Sequence, residues 1–76
     1  MGSEMNDSFS LAGAEFIALC DLLKTHGLCD TGGMAKAVIA AGEVRVDGEI
    51  EQRKRRKVYP GQVVQWQQAK VRVTDS

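Results

Sequence analysis

The hydrophobic period of this chain changes at Gly42, and that change limits what it can fold into. Before Gly42 the apolar residues follow a helical repeat. Phe16, Leu19, Cys20 and Leu23 stand at i, i+3, i+4 and i+7, and Ile17 and Leu22 widen the stripe. The pattern predicts a helix over residues 15–27, with Lys24 and His26 near its negative end and Gly27 as a left-handed cap. A second helix is predicted over residues 30–42. Asp30 or Thr31 would cap it, Gly42 would end it, and Ala35, Val38 and Ile39 would form its apolar face. Leu28 and Cys29 leave little room between the two, so they form a compact helix-turn-helix-like pair. From Glu43 the period is two. "VRVDGEI" reads as a β-hairpin turning at Asp47-Gly48, "YPGQ" as a turn with Pro second and Gly third, and "QVVQW" and "KVRVT" as strands. "SFSL", residues 8–11, alternates too and is expected to pair with the last strand. The predicted class is α+β: a helix pair packed on a small, mainly antiparallel sheet. Residues 1–7 are expected to be a disordered N-terminal tail, and residues 8–74 a single domain.

A domain of 76 residues has a thin core and little space for a deep substrate cavity. No apolar run approaches the roughly 20 residues of a membrane-spanning helix. The N-terminus lacks a basic region followed by an apolar one, so no secretory signal is read. Asn6 stands where N-myristoylation wants Ser or Thr. Cys20 and Cys29 form neither a CxxC motif nor a disulfide framework. Cys20 is expected in the core and Cys29 half-exposed, both reduced, which points to the cytoplasm.

The formal net charge is zero, yet the charge is divided along the chain. Residues 1–51 carry nine acids and three bases, and residues 52–76 carry seven bases and one acid. Five of those bases are consecutive: Arg53, Lys54, Arg55, Arg56 and Lys57. Neighbouring like charges in water cost about 1 kcal/mol per pair, so a surface loop tolerates the run without the fold gaining from it. A solvated loop is the plain reading, and a nuclear-localisation signal also matches such a pentamer. Binding of an anion is favoured by the adjoining turn, by Arg45, Lys70 and Arg72 on neighbouring predicted strands, and by the phosphate-matching fork of arginine. Tyr59 and Trp66 follow the run rather than interleave with it, so base stacking is secondary. "DTGGMAK" offers a second anion site. There a helix N-terminus presents free N–H groups, Thr31 can cap and touch phosphate, Gly32 and Gly33 admit a close backbone, and Lys36 adds a charge. The spacing is not that of a phosphate-binding Walker loop.

The ordered set "LLKTHGLCDTGGMAKAVIAAGEVRVDGEI" and "VYPGQVV" resembles the alpha-L RNA-binding domain, named for small-subunit ribosomal protein four. The family pattern is a Leu-rich helix ending near Gly-Leu and a Ser-Arg-x-x-Ala-Arg-x-Leu-Ile helix. Gly-x-Val-x-Val-Asn-Gly and a Val-x-x-Gly-Asp turn follow. Those parts fall at Gly27-Leu28, Thr31 to Ile39, Gly42 to Gly48 and Val58 to Gln62, and the likeness covers about residues 16–66. It implies a module for structured RNA, ribosomal or transfer RNA among them. The family's hydroxyl falls on Thr31, its helix arginine on Lys36 and its strand position on Arg45. Gly32 replaces a phosphate-binding arginine, Asp47 an asparagine and Gln62 an aspartate. The glycine and the basic loop look most like small stand-alone bacterial members of the family. Joined to the basic loop and the glycine at the helix start, these family positions give an expected site of Thr31, Gly33, Lys36, Arg45 and residues 53–57, lining one positive surface with the loop as its main electrostatic contact.

No nucleophile–base–orienter set is present, so no enzyme is expected, and neither a cofactor nor a metal. His26 has no companion at metal-ligand spacing, and Trp66 reads as packing. A monomer is expected. The competing reading is an adaptor whose basic loop docks an acidic protein. Membrane binding lacks an apolar face or lipidation site to accompany the charge.

Overall fold

A computed structural model describes residues 5–75. Two antiparallel β-connections follow directly from turn chemistry. Val44–Val46 (β3) and Glu49–Ile50 (β4) are joined through Asp47 and Gly48, both at positive φ (53° and 86°), as a tight hairpin turn demands. Tyr59 to Gln62 makes the second turn. Gly61 at φ 92° takes the position that requires a left-handed residue, and the Gln62 N–H donates to the Tyr59 carbonyl at 3.1 Å. It delivers the chain into Val63–Trp66 (β6), which pairs with both β3 and Ala69–Thr74 (β7).

The first strand, Met5–Ser10 (β1), lies parallel to β7 along its whole length, so the expected pairing of the two ends of the domain holds. It starts before Ser8, and Asp7, expected in a tail, pairs opposite Val71. Residues 1–4 of that expected tail lie outside the described residues. The sheet order is β1-β7-β6-β3-β4, antiparallel except at β1, in line with the predicted class. Alternation sends Val44, Val46, Val64, Val71 and Val73 to one face, where all are buried.

The helix pair covers that face. Leu19–Thr25 (α1) and Gly32–Ala40 (α2) each end in a Schellman motif. Gly27 and Gly42 sit at φ 85° and 78°, and the Leu28 and Glu43 N–H groups reach back to Leu23 and Val38. Thr31 caps α2 as expected: its Oγ1 accepts from the Met34 N–H at 3.0 Å. Trp66 is buried as packing, and its indole N–H donates to Glu43 at 3.1 Å.

Three further details differ from the sequence reading. The first helix starts at Leu19 rather than near Glu15. Ile17–Ala18 (β2) is extended and pairs antiparallel with Lys57–Val58 (β5). No side chain caps α1; instead the Leu19 and Cys20 N–H groups donate to the carbonyls of Arg56 and Lys54 at 2.9 and 3.0 Å. Tertiary bonds therefore set this helix start, and local propensity does not. Cys29 is buried rather than half-exposed, because its N–H folds back onto the Leu23 carbonyl and draws the link between the helices into the core. Burial, then Asp30 and Glu43, push its thiol pKa up. Val38 only borders the core, whereas Ala35 and Ile39 fill it.

Candidate nucleic-acid interface

The basic run is a built part of the fold. Its backbone carbonyls receive the first N–H groups of α1, as described above, and its last residue enters β5. Gln52, just before the run, donates to the Ala40 carbonyl at the end of α2 at 3.1 Å. The decisive side chain is Glu51, only 12% exposed. Its carboxylate accepts from Arg53 Nε and Nη2 at 3.0 and 3.1 Å, from the Arg53 N–H at 2.9 Å and from Arg56 Nε at 2.8 Å. Two of the five cations are thus held by one acid. The reading of the run as mutually repelling charge missed this, although the acid stands immediately before it in "EQRKRRK".

The remaining cations have different surroundings. Lys57 lies over the Phe16 ring, 4.8 Å from its centroid. Lys54 and Arg55 are exposed and have no carboxylate partner among the described residues. Arg53, Arg55, Arg56 and Lys57 line a surface groove of about 500 Å³. Arg56 is the least exposed of the arginines that Glu51 holds. Its Nη1 also reaches the Lys57 carbonyl at 3.3 Å and Gln62 Oε1 at 3.4 Å. Its removal would therefore damage the loop. Gln62 also donates to Asp47 Oδ2 at 3.0 Å, so two departures from the family pattern contact each other.

Hydrogen bonds from the Arg53 side chain, helped by its N–H and by the charges of Arg53 and Arg56, pull the Glu51 pKa from 4.5 to about 2 against the effect of burial. A depressed carboxyl contributes stability that is complete above its unfolded pKa and is lost as pH falls through the folded one. Asp47, lowered by the Val63 N–H and then by Gln62, acts in the same direction. The wild-type melting temperature is expected to fall between about pH 4.5 and about pH 2. Glu51→Gln should melt lower than wild type at pH 7 and show a shallower acid limb. Superimposable acid limbs in thermal melts would contradict this assignment.

The other expected site residues fall into separate places. Lys36 is exposed on α2, one turn before Ala40, the residue whose carbonyl Gln52 caps. Thr31 and Gly33 stand at the opposite end of α2, roughly 13 and 10 Å along its axis from Ala40 at 1.5 Å per residue. Gly33 is exposed and a Cβ there would meet only Thr31 Oγ1, at 3.8 Å, so space does not demand the glycine. Arg45 lies on the sheet face turned away from the helices. It is flanked across the register by Gln65 and then Lys70, and its Nη1 donates to the Gly48 carbonyl at 3.2 Å. Arg45 thus stands on the outer sheet face opposite Ile50 of β4, whereas Lys36 is on α2, in the helix layer.

A family model described as the S4 domain matches residues 9–74, nearly the whole chain. The chain belongs to the S4 domain family. Among the curated members is YbcJ of Escherichia coli (strain K12), named as a candidate RNA-binding protein. It is 49% identical over 57 residues, covering 75% of this chain and 81% of that one. RlbA of Bacillus subtilis (strain 168), named as a probable ribosome maturation protein, is 41% identical over 51 residues, covering 67% of this chain and 72% of its own. The solution structure of YbcJ, described as having an alpha-L motif involved in RNA-binding, matches with a TM-score of 0.70 at 45% identity. That match covers 88% of this chain and 85% of the other. The S4 domain here thus has the alpha-L fold and resembles small members of the family, as the sequence pattern indicated.

Proposed function

We propose that this chain is a non-catalytic module that binds structured RNA through its basic loop, supported by the exposed flank of α2. The observation that carries the reading is the anchored groove lined by Arg53, Arg55, Arg56 and Lys57. Arg55 and the neighbouring Lys54 have no carboxylate partner among the described residues, and Glu51 holds Arg53 and Arg56 in fixed directions. Fixed cations bind phosphate without first being ordered, which lowers the entropic cost of association. Thr31 and Gly33, at the open start of α2, and Arg45, on the outer sheet face, are proposed as outlying phosphate contacts. The name of RlbA favours ribosomal RNA as the target, reached in the cytoplasm by a monomer. An acidic protein partner remains the second reading, favoured by the same uncompensated charges.

Because Glu51 offsets part of the run, about four to five phosphates should be neutralised, giving log K against log salt a slope of about −3 to −4.5. Titrations with folded RNA, plain duplex RNA and heparin test this. Folded RNA should bind most tightly, since the deep RNA major groove hides base edges and leaves shape and backbone to be read. Equal affinity for all three would reduce the loop to a general polyanion site.

A further inference from the structure

Beside the cationic groove stands Tyr59, 46% exposed. Trp66 is buried and Phe9 and Phe16 are half-buried, so Tyr59 is the aromatic ring most open to solvent among the described residues. Two sets of contacts hold it next to the cations. Its N–H donates to Gln62 Oε1 at 2.9 Å, the oxygen that Arg56 Nη1 also approaches at 3.4 Å. Its ring meets Phe16 edge-to-face, with centroids 5.9 Å apart and planes at 68°, and Phe16 in turn carries the Lys57 ammonium. An edge-to-face contact covers at most one face of the tyrosine ring. A fixed ring with an uncovered face, bordered by Arg56 and Lys57, is the arrangement that takes a nucleobase while cations take its phosphates.

The geometry points to Tyr59 as a base-stacking residue that makes the groove select RNA with an unpaired nucleotide next to the bound backbone. This rests on the RNA-binding reading and adds a preference to it. A base within a duplex is already stacked on both sides and cannot reach the ring. A bulged or looped base can, whatever its identity, because each base has a π-face.

The test uses two short RNA hairpins that differ only by one unpaired nucleotide in the stem, with wild type, Tyr59→Leu and Tyr59→Phe. Wild type should bind the bulged hairpin about tenfold more tightly, within the usual worth of one stacked base. Tyr59→Leu, which keeps an apolar side chain against Phe16, should bind both hairpins alike, with the wild-type salt slope and an unchanged melting temperature. Tyr59→Phe should keep the preference. Wild type without preference, Tyr59→Leu retaining it, or Tyr59→Leu weakening both hairpins equally would each overturn the stacking role. Wild type that binds neither hairpin in a salt-dependent way would overturn the RNA reading and the stacking with it.

Discussion

Replacing Leu19 with alanine is expected to remove about 3 kcal/mol of stability, a large share of what so small a domain has. Leu19 has no exposed surface, and it opens α1 where that helix meets the basic loop. Truncation loses the transfer energy of its buried carbons and leaves a cavity that the neighbouring Leu22, Leu23 and Val58 cannot all relax to fill. At about 4–8 °C per kcal/mol, the melting temperature should drop by roughly 12–24 °C. Val38→Ala is the contrast. Val38 is only partly buried against the core, so its loss should be about 1 kcal/mol. Equal losses at the two positions, measured by thermal and urea melts, would contradict the placement of the core.

The contrast also shows what could be read before any coordinates were known. Helical spacing marked both Leu19 and Val38 as apolar-face positions, but spacing alone does not separate a residue at the centre of a face from one at its margin. Glycines at 27, 42, 48 and 61 announced their turns because each takes a positive φ that other residues avoid. Strand alternation after Gly42 gave the register-bearing faces, and with them the outward direction of Arg45. What escaped was non-local. The pairing of Ile17 with Val58 joins two-residue strands far apart in the chain, too short to leave a period. The same pairing moves the start of α1. Glu51 escaped for a different reason: a lone acid beside five bases looks like a reduction in charge, and only its partners show that it orients Arg53 and Arg56. The family motif carried Thr31, Lys36 and Arg45 correctly to their elements, the cap of α2, α2 itself and β3.

The double variant Lys54→Ala with Arg55→Ala is expected to lower RNA affinity by about 1–3 kcal/mol at moderate salt, roughly fivefold to 150-fold. Each lost phosphate contact also removes just under one unit from the salt slope, so the slope should flatten by about one to two units. Fold stability should be unchanged, since both side chains are exposed and neither has a carboxylate partner among the described residues. The loop backbone should persist, because the carbonyl of residue 54 still accepts from Cys20 whatever side chain it carries. Arg56 is left intact on purpose, since it belongs to the Glu51 cluster.

The central claim, that the anchored basic loop is the RNA contact, is tested most directly by the affinity of this double variant for folded RNA across a salt series, with melting measured on the same preparations. The account predicts wild-type melting, weaker binding and a flatter slope. Wild-type melting with unchanged affinity and slope would contradict it and move the acidic-protein reading ahead.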